Sequence, residues 1–121
     1  MVASVYKTEK TLDERKEESG RIRSKFPKRV PVICERHPRS THIPELQKKK
    51  YLVPGDLTIG MFKQYIRKCI KLSPETAIFL YISGGIKPTS HLMSDVYERE
   101  KDEDGFLYVV YAGEETFGAD Q

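Results

Sequence analysis

The residues that could do chemistry in this chain are two cysteines and three histidines, Cys34, Cys69, His37, His42 and His91. Cys34 and His37 have the spacing of half a zinc site, but the other three do not complete a recognisable set of zinc ligands. Cys34 lies in a predicted strand, where a cysteine is expected to be a buried, unreactive thiol and not a nucleophile. The sequence therefore predicts neither a metal site nor a catalytic centre.

The glycine pair Gly84-Gly85 is the remaining candidate, since glycine-rich loops can bind phosphate. The pair is not followed by the lysine and hydroxyl residue of a phosphate-binding loop, so it predicts only a turn. We therefore expect no enzymatic activity and no bound cofactor.

Peptide binding is the chemistry suggested by the stretch KKKYLVP at residues 48–54. Alternation along a strand sends Lys48, Lys50 and Leu52 to one face, and Lys49, Tyr51 and Val53 to the other. Such a strand could bind an extended acidic and hydrophobic peptide as an added strand. The alternative is an edge strand that its lysines protect from aggregation, and the residues alone leave both open.

Two longer helices are predicted to position these residues. The first begins with the capping-box spacing of Thr11 and Glu14 and runs to about Phe26. The second runs from Thr58 to about Lys71, and its apolar residues at helical spacing are Ile59, Phe62, Ile66 and Ile70. We expect the second helix to cover the core.

Four strands are predicted around these helices, over residues 30–35, 49–54, 77–82 and 106–112. A short helix over residues 92–99, capped by Ser90 or Ser94, is predicted between the last two strands. The last strand is continuously apolar and is expected in the middle of a sheet. Two strands, a crossing helix and two more strands is the order of a β-grasp sheet.

Composition is that of one globular domain, with 38% hydrophobic and 32% charged residues and no apolar run long enough to span a bilayer. Two cysteines without CxxC spacing indicate reduced thiols in a cytosolic protein. Residues 1–72 carry 18 Lys and Arg against 8 Asp and Glu, a net charge of +10, whereas residues 73–121 carry 3 against 10, a net −7. The basic part is expected to contact an acidic partner, unless the two halves compensate each other at the surface.

Several segments together closely resemble the autophagy ubiquitin-like modifier family, the light chain 3 and GABARAP relatives. They are RVPVICE at 29–35, KKYLVP at 49–54, DLT at 56–58, AIF at 77–79, LMS at 92–94, residues 102–108, and TFG at 116–118. The resemblance covers about residues 5–118. It implies an α+β fold, a ubiquitin-like β-grasp with two extra N-terminal helices. The implied division is a helical extension at 1–28, the β-grasp domain at 29–113 and a flexible tail at 114–121.

The resemblance gives a role to the end of the chain, EETFGADQ. In the family a cysteine protease cuts after the aromatic-glycine pair, here Phe117-Gly118, which would release Ala119-Asp120-Gln121. Glycine has no Cβ, so a narrow enzyme cleft can close on it. Activating and conjugating enzymes would then join Gly118 covalently to phosphatidylethanolamine. The implied protein is cytoplasmic until lipid anchors it to the autophagosome membrane, where it recruits cargo receptors.

The resemblance also implies a site for peptides that carry an aromatic residue, two arbitrary residues and an aliphatic one. The implied aromatic pocket is lined by Glu18, Ile22, Pro31, Lys50, Leu52 and Phe106. The implied aliphatic pocket is lined by Tyr51, Val53, Pro54, Leu57, Phe62 and Tyr65. Acidic residues beside the peptide motif would face Arg29, Lys48 and Lys50.

Two features qualify this resemblance. Cys69 stands where relatives usually have an arginine that borders the aliphatic pocket, which leaves the range of ligands open. On the third strand, alternation sends Phe79 and Tyr81 to the face opposite Ile78, Leu80 and Ile82. Exposed aromatics there would match the family surface that meets the processing machinery, whereas the alternative is that they pack beneath a neighbouring loop.

The alternative function is a non-lipidated basic binding module for the cytoskeleton or RNA, which the basic half of the chain favours. Nucleic acid is the weaker partner, because aromatic residues are not interleaved with the lysines as single-strand readers require.

Overall fold

The structure, a computed structural model, describes residues 3–114. Its elements are α1 Val5–Glu9, α2 Leu12–Lys25, β1 Arg29–Arg36, β2 Lys50–Pro54, α3 Ile59–Cys69, β3 Phe79–Ile82, α4 Met93–Glu100 and β4 Leu107–Ala112. The order read from the sequence pattern is confirmed, with α1 added before it. The α+β organisation with two N-terminal helices, which the resemblance implied, is therefore confirmed.

The four strands form one mixed sheet in the order β2-β1-β4-β3. β1 pairs antiparallel with β2 and parallel with β4, while β3 pairs antiparallel with β4. The continuously apolar β4 lies in the interior of the sheet, as predicted. β2 and β3 are the edges, which are the places where an added strand can pair.

α3 covers one face of the sheet with apolar side chains. Its predicted core residues are all buried: Ile59, Phe62, Ile66 and Ile70. They belong to one large cluster with the side chains of β1 and β4 that alternate toward this face, including Val32 and Val109. Burying each such side chain stabilises the fold by about 1.5–3 kcal/mol, so this face holds the main core.

α1 and α2 cover the opposite face with a much smaller apolar cluster. Tyr6, Ile33 and Phe106 are buried there, and Ile22 and Tyr108 are partly buried against them. The rings of Tyr6 and Phe106 meet edge to face, with their centroids 5.5 Å apart. These few residues cannot by themselves bury the inner sides of two helices.

Ion pairs and hydrogen bonds complete the attachment of α1 and α2. The carboxylate of Asp104, which is fully buried, accepts from Arg15 Nη1 at 2.6 Å and from the Tyr108 hydroxyl at 2.5 Å. Lys7 pairs with Asp102 at 2.6 Å. A buried carboxylate is costly unless it is paired, so Arg15 is the residue that makes this arrangement possible.

Hydroxyl residues begin two helices as predicted. In the capping box of α2, Glu14 N–H donates to Thr11 Oγ1 at 3.1 Å and Thr11 N–H donates to Glu14 Oε1 at 2.8 Å. At the start of α3, Met61 N–H donates to Thr58 Oγ1 at 3.1 Å. Local sequence therefore sets both starts.

α4 begins without a side-chain cap, so the prediction that Ser90 or Ser94 caps it is wrong. Its first N–H groups instead donate to backbone carbonyls of the turn before α3. Met93 N–H donates to Leu57 O at 2.8 Å, and Ser94 N–H donates to Gly55 O at 3.0 Å. A tertiary contact thus satisfies donors that a side chain would otherwise satisfy.

β3 begins at Phe79, two residues later than predicted, because its pairing with β4 starts opposite Ala112. The turn predicted at Gly84-Gly85 is present. Gly84 has a φ of 79°, a conformation that glycine adopts at little cost.

Candidate functional site

The lysine-rich strand β2 is an edge strand, so its outward backbone groups are not paired with another strand in the described part of the chain. Cys34 N–H donates to the Lys49 carbonyl at 2.8 Å, which marks Lys49 as a residue whose backbone groups face β1. Hydrogen-bonding direction alternates along a strand, so Lys50 and Leu52 direct their N–H and C=O groups to the free edge. Pro54, the last residue of β2, has no N–H to offer. The free edge therefore presents two residues to which an extended peptide can pair.

Three cations were predicted at this edge: Arg29 begins β1, Lys50 begins β2 and Lys48 precedes β2 by two residues. Arg29 is exposed, and its Nη1 donates to the outward carbonyl of Leu52 at 3.2 Å. Lys48 is exposed, and Lys50 forms an ion pair with Glu18 of α2. A peptide carboxylate that binds Lys50 must therefore compete with Glu18.

Residues of the predicted aromatic pocket lie together on the α2 side of β2. Leu52 stands opposite Pro31 in the strand pairing, so the two side chains share this face. Glu18, which pairs with Lys50, also accepts a hydrogen bond from the Tyr6 hydroxyl. The pocket region is thus connected to α1 through one carboxylate.

Phe106 and Ile22 form the deeper part of the same region. Phe106 is completely buried, with the Tyr6 ring against it, and Ile22 is partly buried in their cluster. Phe106 therefore belongs to the core in this structure, and a ligand could reach it only if the side chains that cover it moved.

The predicted aliphatic pocket lies on the α3 side of β2. Tyr51 contacts two α3 aromatics edge to face, with ring centroids 6.2 Å from Phe62 and 6.0 Å from Tyr65. Phe62 and Val53 are buried core residues, whereas Tyr65 is half exposed. Pro54 and Leu57, the remaining two, are partly buried.

Cys69 is exposed and contacts this pocket. Its hydrogen bond with the Tyr65 side chain raises the pKa of that tyrosine. A small thiol thus adjoins Tyr65 at the position where an arginine was expected, so the pocket lacks a cation there.

Two cavities of the structure lie away from the predicted pockets. Cavities of about 640 and 410 Å³ lie elsewhere, the larger between α3 and the segment before β3, the smaller beside β3 and β4. No residue of the two predicted pockets borders either one. Three residues of the predicted pockets, Val53, Phe62 and Phe106, are instead buried core side chains.

The expectation of exposed aromatics on β3 is wrong for Tyr81. Tyr81 is 2% exposed and packs with Ala112, while Phe79 and Val110 are partly buried against them. The Tyr81 hydroxyl donates to the Glu114 carbonyl at 2.7 Å, so the chain that follows β4 covers it. Only Phe79 of the predicted pair retains partial exposure.

The chain leaves the sheet through a set of contacts that the sequence did not indicate. The Glu114 carboxylate contacts Ser40 Oγ at 2.9 Å and His42 Nδ1 at 3.0 Å. These residues are more than 70 positions apart, and the segment around Ser40 gave only a turn signal. Phe117 and Gly118 lie outside the described residues.

Cys34 is buried and Cys69 is exposed, and neither forms a disulfide. Burial raises the pKa of the Cys34 thiol, which agrees with an unreactive core residue. Within residues 3–114, no three His, Cys, Asp or Glu side chains are arranged to hold a metal ion. The same residues include no helix with the length and apolar character needed to cross a membrane.

Comparison with known proteins gives consistent matches. A family model described as "Autophagy protein Atg8 ubiquitin like" matches residues 14–118. The chain is 55% identical over 116 residues to autophagy-related protein 8e of Arabidopsis thaliana, covering 96% of this chain and 94% of that protein. It is 56% identical over 115 residues to autophagy-related protein 8 of Mycosarcoma maydis, covering 95% and 97%. A crystal structure of Trypanosoma brucei ATG8 matches with a TM-score of 0.87 and 41% identity, over 92% of this chain and 95% of that one. The ubiquitin-like fold is thereby confirmed.

Proposed function

The chain belongs to the Atg8 family of ubiquitin-like autophagy proteins, and we propose that it is a modifier that becomes attached to phosphatidylethanolamine through Gly118. The observation that carries this proposal is that the family match ends at residue 118, directly after the aromatic-glycine pair Phe117-Gly118. The chain itself would catalyse nothing, and the reactions would be those of its partners.

Two reactions would attach the lipid. In the first, a processing cysteine protease adds water across the amide bond between Gly118 and Ala119, leaving a carboxylate on Gly118 and an amine on Ala119. In the second, activating and conjugating enzymes use ATP to join that carboxylate to the amine of phosphatidylethanolamine. The absence of a side chain on glycine lets narrow enzyme clefts close on the reacting carbonyl.

The lipid would determine where the protein acts. A phospholipid carries two acyl chains, and two chains give stable membrane anchoring where one is marginal. The cytoplasmic protein would thus become bound to the autophagosome membrane without a membrane-spanning segment.

Cargo receptors and adaptors would bind at the free edge of β2. Lys50 and Leu52 offer backbone groups to an extended peptide, and apolar side chains lie on both faces of the strand. An aromatic anchor would sit near Leu52 and Pro31, an aliphatic anchor near Tyr51 and Tyr65. Burying two anchor side chains contributes roughly 3–6 kcal/mol to the free energy of binding. After subtraction of the entropy lost when the peptide becomes ordered, an affinity near micromolar is expected.

Gly118→Ala tests the attachment. We expect this variant to remain in the soluble fraction when membranes from starved host cells are floated on a density gradient, whereas the wild-type chain floats with them. Gly20→Ala is the matched control, because a Cβ at Gly20 meets no other atom, and it should float normally. Flotation of Gly118→Ala at the wild-type level would show that Gly118 is not the attachment point.

Titration calorimetry with a short peptide tests the binding edge. The peptide carries an aromatic-x-x-aliphatic motif preceded by acidic residues. We expect Leu52→Ala or Tyr51→Ala to weaken binding about tenfold or more, since each change removes part of an anchor site. Ile86→Ala is the control, because Ile86 is an exposed apolar residue outside both predicted pockets. Unchanged affinity in both test variants would exclude this edge as the peptide site.

A basic binding module for the cytoskeleton or RNA remains the second candidate, and one observation favours it. The cavity of about 640 Å³ is bordered by three lysines from α3 and the residues just after it, which are Lys63, Lys68 and Lys71. Binding through such a surface would fall steeply with salt and would not depend on Leu52. A salt titration of wild type and Leu52→Ala therefore separates the two functions.

A further inference from the structure

The point where the chain leaves β4 is held by side chains from two other segments. Gly113 N–H donates to Ser40 Oγ at 2.8 Å. Ser40 Oγ donates to one oxygen of the Glu114 carboxylate at 2.9 Å, and His42 Nδ1 lies 3.0 Å from the other oxygen. The Tyr81 hydroxyl donates to the Glu114 carbonyl at 2.7 Å. We call these contacts the tail clasp, formed by Ser40, His42 and Tyr81 on one side and by Gly113 and Glu114 on the other.

The segment that carries Ser40 and His42 is itself fixed to the sheet. His37 is buried, and its N–H donates to the Tyr111 carbonyl of β4 at 2.8 Å. Ser40 N–H donates to the His37 carbonyl at 3.0 Å, and Ser40 is completely buried. Ser40 is thus placed by backbone contacts that lead directly back to β4, and it does not depend on Glu114 for its position.

The fit at Gly113 is close. A Cβ at this position would collide with the imidazole of His42, so the glycine allows the ring to lie against the chain. Two hydrogen-bonding oxygens and a close backbone approach together fix Glu114 more firmly than one surface contact would.

The clasp limits where the proposed cleavage point can be. Gly118 follows Glu114 by four positions, and an extended chain over four positions reaches about 14 Å. The length of the chain therefore keeps Gly118 within about that distance of the clasp.

We infer that Ser40 and His42 are positioning residues for processing of the tail. They hold Glu114, so that a protease docked on the folded domain meets the Gly118–Ala119 bond at a restricted place. A tail with a fixed starting point has less conformational freedom to lose when it enters a narrow cleft, and such orientation accelerates a reaction without any contact to the reacting atoms. The inference rests on the proposed function, and the reaction is the hydrolysis described above.

Cleavage kinetics of the full chain test this inference, with the processing cysteine protease purified from extract of the host's own cells as the probe. We expect the double variant Ser40→Ala/His42→Ala to lower kcat/KM about tenfold. The loss should be in kcat, with KM changed less than twofold, because the surface on which the protease docks is unaltered. A merely structural role for this segment would not produce that division.

Two further variants control for folding and for local chemistry. The loss of the buried Ser40 Oγ in the double variant could disturb the fold, so His42→Ala is also measured alone. The His42 side chain is half exposed, and this variant should keep the thermal unfolding midpoint of wild type and still lower kcat. Thr41 is exposed and lies between the two positioning residues in the sequence. The variant Thr41→Ala should be cut at the wild-type rate.

A peptide of residues 113–121 separates the clasp from direct recognition of Glu114. Glu114→Ala should lower kcat/KM of the full chain about as much as Ser40→Ala/His42→Ala does. The triple variant should lower it no further, because each variant removes the same contacts. In the isolated peptide, Glu114→Ala should have no effect. An equal slowing there would show that the protease reads Glu114 itself and would overturn the inference.

The remaining outcomes are also decisive. If wild type is cut after Gly118 and the double variant is cut with equal kcat/KM, the clasp has no positioning role, although the proposed function stands. If wild type is not cut after Gly118, the inference and the proposed function fail together.

Discussion

α3 covers one face of the sheet with a continuous apolar core, whereas α1 and α2 cover the other mainly through hydrogen bonds and ion pairs. On the first face, Phe62 and Ile66 are buried within one large cluster. On the second, the small cluster around Phe106 is flanked by the buried pair of Arg15 and Asp104 and by the more exposed pair of Lys7 and Asp102. Ion pairs are weakened by pH changes that neutralise them and by the screening of moderate salt, whereas apolar burial is much less affected. The two faces should therefore respond differently to the same perturbation.

This difference divides the candidate peptide site. Tyr51 and Tyr65 belong to the α3 face, so the aliphatic site rests on the rigid core. Lys50 and Leu52 belong to the other face, where Glu18 connects Lys50 to Tyr6 of α1. We therefore expect the aromatic site to adjust its shape through the N-terminal helices, while the aliphatic site stays fixed.

The largest effect should come from the apolar face. Phe62→Ala removes a fully buried ring from the main core and should lower the free energy of unfolding by about 3–5 kcal/mol, measured by urea denaturation followed by circular dichroism. Met61→Ala, at the exposed neighbouring position, should change it by less than about 1 kcal/mol. A cost below 1 kcal/mol for Phe62→Ala would contradict the assignment of this face as the main core.

An intermediate and more local effect should come from the polar face. Arg15→Met leaves the buried Asp104 carboxylate without its cation. The free energy of opening α2, measured by native-state hydrogen exchange, should fall by about 2–3 kcal/mol. Amides of α3 should be affected less. Arg21→Met removes an exposed pair with Glu17 on the same helix and should leave exchange in α2 unchanged. Equal acceleration in α2 and α3 after Arg15→Met would show that the two faces open as one unit.

The smallest effect should appear on acidification. Burial alone would raise the pKa of Asp102, but hydrogen bonds from the Lys7 ammonium and the Asp104 N–H outweigh it and lower that pKa. A carboxyl with a lowered folded-state pKa stabilises the fold above its unfolded value, about 3.9, and that contribution is lost as the pH falls through the lower folded value. The pair is partly exposed, so the contribution should be below about 1 kcal/mol.

Asp102→Asn tests this last prediction. The variant should weaken attachment of α1 at pH 6, seen as faster hydrogen exchange in α1, and the difference from wild type should shrink as the pH is lowered below 4. A difference that grows at low pH would contradict the sign of the pKa shift.

The sequence was most informative where a local pattern decides the structure. Helical spacing identified the buried face of α3, the Thr11–Glu14 spacing identified the start of α2, and alternation separated Lys50 and Leu52 from Tyr51. Each of these follows from residues within a few positions of one another. The edge position of β2 was suggested by its lysines alone.

Contacts between distant segments were not predictable in this way. Tyr81 alternates to the expected face but is covered by the chain after β4, and α4 takes its cap from the backbone near Gly55. The Arg15–Asp104 pair joins residues 89 positions apart, and no spacing rule connects them. Such pairs depend on the tertiary arrangement, which a single sequence does not encode in any local pattern.

Intact-mass spectrometry of the chain purified from membranes of starved host cells tests the central claim most directly. The account predicts a protein that has lost Ala119-Asp120-Gln121 and gained the mass of one phosphatidylethanolamine on Gly118. A membrane-bound chain with its last three residues still present, or a trimmed chain with no lipid on Gly118 in any fraction, would contradict it.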